Sequence, residues 1–167
     1  MMLSMLLALA LQGTLPPPPP RDLFDRLEGE WICRQEMLAS GPLWRTEIWW
    51  SQEDGSAAGR IMIASRRLAS GEAMHPDIDM LFSRRGRGPR LTYQPAEGRP
   101  VRYRLARRSR LEAAFQAIGH GSPRIISYRL NGQRLEVRHI LAGGGTQRWF
   151  YQRPGLHQGI GGCDGRR

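Results

Sequence analysis

Glu47 is the carboxylate best placed to do chemistry. It lies in Arg45-Thr46-Glu47-Ile48-Trp49. Strand alternation puts Arg45, Glu47 and Trp49 on one face and Trp44, Ile48 and Trp50 on the other. If the Glu47 face turns inward, the carboxylate needs a partner, because an unpaired buried charge is expensive. Arg45 is the local candidate. A polar anchor inside an apolar pocket is the usual layout of a ligand site. The plainer reading is a structural ion pair at one end of a barrel. His120 stands between Gly119 and Gly121 in a predicted loop, where a histidine can touch a ligand or act as a general base. More often such a residue is simply solvated.

Other chemistries find little support. His75 and His139 fall on predicted strands and His157 in the tail, and no pair has zinc-ligand spacing. The expectation is therefore no metal and no cofactor. There is no G-x-S-x-G, so a nucleophile elbow is missing. The glycines near Gly143 and Gly159 do not sit between a strand and a helix, as a phosphate-binding loop requires.

All 25 basic residues are arginine, and the net charge is +10. Alongside 20 Gly and 12 Pro, this reads first as compositional bias. The charge permits an anionic partner or a membrane surface. The span from Arg84 to Arg110, with Tyr93 and Tyr103 nearby, could in principle stack and neutralise nucleic acid. Its arginines alternate with apolar residues, however, so a solvated barrel face is the preferred reading.

The elements that must hold these residues are strands. At 167 residues and 40% hydrophobic, the chain suits one domain with a single core. Asp22 to Leu27 can form one helical turn capped by Asp22, with Leu23, Phe24 and Leu27 on one side. Strands are expected over Glu30–Met37, Leu43–Trp50, Arg60–Leu68, Ala73–Ser83, Leu91–Gln94, Arg99–Arg107, Leu111–Ala117, Arg124–Leu130, Arg134–Leu141 and Thr146–Gln152. Ser51 to Gly59 reads as a polar turn, and Asn131-Gly132 as a hairpin turn. About ten short strands at such spacing fit an antiparallel barrel, whose closure removes exposed edges.

The termini read differently. Met1 to Leu11 is apolar but too short to span a bilayer, and Ala8-Leu9-Ala10 fits a signal-peptide cleavage site. Residues 1–14 are thus expected to be a signal peptide, 15–21 a proline-rich linker, 22–153 the barrel and 154–167 a disordered Gly/Arg-rich tail. The location expected is periplasmic or secreted, with the cytoplasm as the alternative and no stable membrane insertion. Cys33 and Cys163 can pair if the chain is exported, although the tail reads as mobile.

Leu27-x-Gly29-x-Trp31 resembles the opening signature of calycin-type barrels, the lipocalins and fatty-acid-binding proteins. The glycine lets the chain turn in tightly, and the Trp plugs the barrel end. A more specific resemblance is to the DUF6265 family, a calycin-like bacterial group of unknown function. It rests on Leu27, Gly29 and Trp31; on Glu47 and Trp49; on Gln94-Pro95, Gly98 and Pro100; and on Phe115, His120, Pro123-Arg124-Ile125 and Tyr128. The chain departs from the family at Gln116, Ala117 and Gly121-Ser122. The resemblance implies a calycin-like barrel over about Leu27 to Leu141.

Together these observations predict an all-β, calycin-like antiparallel barrel of eight to ten strands with a short N-terminal helical turn. The first functional reading is a non-enzymatic binder of a small apolar or amphipathic molecule. Trp31, Trp49, Tyr93, Phe115 and Tyr128 would line its pocket, with Glu47 and His120 as polar contacts. The alternative is a structural or interaction module with a filled barrel and no ligand. An enzyme would need Glu47 and His120 to face one cavity.

Overall fold

The computed structural model describes residues 23–37, 41–64, 77–84, 88–155 and 163. A helical turn, α1 (Leu23–Leu27), leads into β1 (Gly29–Met37), β2 (Gly41–Ser51), β3 (Ala57–Ala64), β4 (Ile78–Ser83) and β5 (Arg90–Pro95). The chain continues through β6 (Val101–Arg108), β7 (Glu112–Ala117), β8 (Ile125–Asn131), β9 (Arg134–Ile140) and β10 (Thr146–Gln152). Each strand pairs antiparallel with the next, and β10 returns to β1 to close the barrel. The all-β closed barrel with an N-terminal helical turn, predicted from the alternation, is the architecture observed.

Register decides which face of each strand is interior. Trp31 stands opposite Glu47, Cys33 opposite Arg45, and Glu47 opposite Ile61. Trp31, Cys33, Glu47 and Ile61 are at most 1% exposed, so Arg45, Glu47 and Trp49 form the inward face of β2. Trp44, Ile48 and Trp50 are outside it and half-buried. The hairpin between β8 and β9 turns at Gly132, whose φ is +58°, with Asn131 paired to Arg134.

The start of β3 differs from expectation by three residues. β3 begins at Ala57, so Ala57, Ala58 and Gly59 are buried strand residues and not part of a turn. Gly59 must be small because Trp49 lies over it: a Cβ there would come within 2.9 Å of the indole. Small residues under a large ring look like a turn by composition alone. Of the strand expected over Ala73–Ser83, Ile78–Ser83 is described, as β4. Residues 73–76 lie outside the described residues, as do His75, His157, Asp22, the expected leader and the proline-rich linker.

α1 closes one end of the barrel. Leu23, Phe24 and Leu27 are buried. Phe24 stacks on Phe82 with centroids 3.8 Å apart and meets Trp49, Phe115 and Tyr128 edge-on. The Trp31 indole N–H donates to the Leu27 carbonyl at 2.7 Å. That bond satisfies a carbonyl that a helix end leaves without a partner. Trp31 thus plugs this end.

The closing seam is thin. β1 and β10 share one register pair, Ile32 with Gln152. Cys163 fills the gap: its N–H donates to the Arg34 carbonyl at 2.8 Å, and its carbonyl accepts from the Phe150 N–H at 2.9 Å. Cys163 is 2% exposed and disulfide-bonded to Cys33. The expectation of a wholly disordered tail over 154–167 is therefore corrected at this residue.

Candidate functional site

The barrel interior divides into two halves. Around α1 it is filled by rings: Trp49, Phe82, Phe115 and Tyr128 are each at most 1% exposed and touch Phe24 or one another. Toward the opposite end, Ile78, Tyr93, Val101 and Trp149 are only partly buried. Between the two halves lies a layer of polar side chains.

Arg45 is the centre of that layer. Its Nε donates to the Tyr151 hydroxyl, and its guanidinium lies 4.4 Å from the centroid of the Trp149 ring. His139 packs edge-on against Trp149 at 4.7 Å and faces Tyr93 at 6.0 Å. These residues meet because β9, β10 and β2 lie side by side across the seam strand β1. On β9, Leu135, Val137 and His139 alternate into the interior.

Glu47 sits just below, fully buried. Its Oε1 accepts from the Trp49 indole N–H at 2.7 Å, while its Oε2 has no hydrogen-bond partner among the described residues. Burial raises its pKa, against the pull of the Trp49 N–H, Arg45 and the nearby Tyr151 and Tyr128 hydroxyls. The expected Arg45–Glu47 ion pair does not form. Each is hydrogen-bonded to an aromatic residue instead, Arg45 to Tyr151 and Glu47 to Trp49.

His139 is 3% exposed, and its Nε2 has no partner among the described residues. Burial, and after it the field of Arg45, lowers its pKa to about 3. The imidazole is therefore neutral near neutral pH. Burial and the Arg45 field oppose each other at Tyr93, with burial winning and raising its pKa.

No family model, no curated protein and no solved structure matches this chain. The site must speak through its own geometry.

That geometry redistributes the residues expected from sequence. Trp31 is a plug, hydrogen-bonded to α1. Trp49, Phe115 and Tyr128 belong to the filled half, and Tyr128 donates to the Met80 sulfur at 3.2 Å. Tyr93 alone of the five aromatic candidates reaches the partly open half. His120 is exposed on the β7–β8 loop, while Glu47 is fully buried. The two share no buried surface, because the loop carries His120 outside the wall that encloses Glu47.

Sequence reading missed His139 and Trp149. The alternation of Leu135, Val137 and His139 marks His139 as inward, and Trp149 is in phase with Tyr151. That signal was legible once the inward face was known.

Proposed function

We propose that the protein is a non-enzymatic binder of a small amphipathic molecule with an anionic head group, held in the partly open half of the barrel. The observation that carries this reading is Arg45. Its guanidinium is buried, no described carboxylate lies within ion-pair distance of it, and its Nε donates to the Tyr151 hydroxyl, while Tyr93 and the charge of Glu47 act on it from nearby. Burial works against this cation, and an anionic ligand in direct contact with it would offset that cost. Trp149 and Tyr93 offer flat apolar surface for the ligand body, and neutral His139 has an unused ring nitrogen. The ring-filled half limits the ligand to something short.

Other observations favour an exported protein of calycin type. The Cys33–Cys163 bond suits an oxidising compartment. The position of Gly29 and Trp31 at the barrel end supports a calycin-type reading, and with it the resemblance to the DUF6265 family of unknown function. The competing reading is a filled structural barrel, favoured by the ring-to-ring packing around Phe24. An enzyme using Glu47 with His120 has no geometric support.

Native mass spectrometry of protein from its own host, before and after solvent extraction, tests the reading. The expected result is an extra mass that extraction removes and that Arg45→Gln abolishes. A bare polypeptide mass together with no quenching of Trp fluorescence by amphipathic carboxylates overturns it.

A further inference from the structure

The arginine-rich span becomes a defined surface in the barrel wall. β5 and β6 carry five arginines and no acidic residue. Arg90 stands directly opposite Arg104, and Arg102 opposite Thr92. Like charges facing across an antiparallel pair repel. Arg90, Arg102 and Arg104 are exposed, and no described carboxylate pairs with any of them. Among the described residues Arg104 donates only to the Gln116 side chain, at 3.0 Å. On other strands Arg60 pairs with Asp79 and Arg148 with Glu136, and toward the end of β6 Arg107 pairs with Glu112.

A groove of about 640 Å³ lies beside Arg90 and Arg104, lined also by Pro89, Leu105, Ala117 and Ile118. Ile118 is 49% exposed, and its N–H donates to the Arg102 carbonyl at 2.8 Å. Leu81 is 42% exposed and stands opposite Thr92 on the same outer face. Exposed aliphatic side chains among unpaired arginines suit the interfacial layer of a bilayer. They do not suit single-stranded nucleic acid, whose bases are held on aromatic platforms. The aromatics of this span point away: Tyr103 is fully buried with its hydroxyl on the Pro123 carbonyl at 2.9 Å, and Tyr93 faces the interior.

We infer that this wall docks on an anionic phospholipid surface, with a lipid phosphate between Arg90 and Arg104 and with Ile118 and Leu81 in the headgroup layer. Two arginines at directly opposed positions of neighbouring strands can bring both guanidiniums to the oxygens of one phosphate, which relieves their repulsion. The docking is peripheral and independent of what the barrel holds.

Co-sedimentation of the full chain with phosphatidylcholine vesicles, with and without phosphatidylglycerol, tests the inference. Binding is expected only with phosphatidylglycerol, falling as salt rises. Arg90→Gln with Arg104→Gln should lower partitioning roughly 30-fold. Arg129→Gln with Arg134→Gln removes the same charge from the β8–β9 hairpin and should leave most binding intact. Near-UV circular dichroism verifies that each variant is folded. Equal losses in the two double variants would mean that net charge alone acts, and the inference fails. It also fails if a single-stranded oligonucleotide binds more tightly than the anionic vesicles in the same buffer.

Discussion

The guanidinium of Arg153 lies 4.0 Å from the centroid of the Trp31 ring. It also donates to the carbonyls of Glu28 and Arg26. One side chain beyond β10 thereby ties the last strand to the start of the first and to α1. Gly29 makes room for it: its φ is +104°, and a Cβ there would come within 2.5 Å of an Arg153 nitrogen.

Arg153→Lys should therefore destabilise the barrel by about 1–3 kcal/mol, because an ammonium cannot both lie flat on the ring and reach two carbonyls. Gly29→Ala should cost a similar amount, through positive φ and the clash. The two effects should be less than additive, since both loosen one contact. Urea denaturation of the single and double variants measures this. Strict additivity would show that Gly29 serves only the turn.

The disulfide closes a loop across a sequence separation of 130 residues. Cys163→Ser should cost up to about 4–5 kcal/mol in the chain-entropy account. The loss should localise first, because Cys163 also supplies the backbone hydrogen bonds between Arg34 and Phe150. Hydrogen exchange should quicken at the Phe150 N–H before the β8–β9 hairpin is affected. Uniform acceleration would mean that the seam has no separate role.

Local cues made most of this fold legible. The alternation of Val101, Tyr103 and Leu105 with Arg102 and Arg104 marks β6, and Asn131-Gly132 marks the hairpin. The inward face of β2 was not legible, because both faces carry Trp. Only pairing with Trp31 and Ile61 decides it. The same limit hid the polar layer. Arg45, His139 and Trp149 come from β2, β9 and β10, and nothing near any one of them in sequence announces the others. Cys163 is the extreme case: a glycine-rich neighbourhood says loop, and a partner 130 residues away says otherwise.

Glu47 separates hydrogen bonding from charge. A glutamine side chain keeps an acceptor for the Trp49 N–H, whereas an alanine leaves that donor unsatisfied and opens a cavity. Glu47→Ala should cost about 2–4 kcal/mol. Glu47→Gln should be nearly neutral in acid and increasingly favourable as pH rises. The folded pKa is raised above the ordinary 4.5, so the stabilisation from the native proton is complete below that value and is lost as pH climbs through the folded pKa. A pH-independent stability difference between the Glu47→Gln variant and wild type would disprove the raised pKa.

His139 acts on the acid side with the opposite sign. Its folded pKa is lowered from 6.5 to about 3. Between those values the unfolded chain binds a proton that the native chain refuses, so stability falls as pH falls, by up to about 1.4 kcal/mol per pH unit. Glu47 opposes this above its ordinary 4.5, so the measurement belongs in the Glu47→Gln background. There, adding His139→Gln should flatten the decline between pH 6 and pH 4, as read by denaturant midpoints. An amphipathic carboxylate bound beside Arg45 should shrink the same slope, because its charge offsets the Arg45 field that helps to keep the imidazole neutral. A slope that survives His139→Gln would place the acid sensitivity elsewhere in the barrel, and a slope unchanged by saturating ligand would remove the anion from the neighbourhood of Arg45.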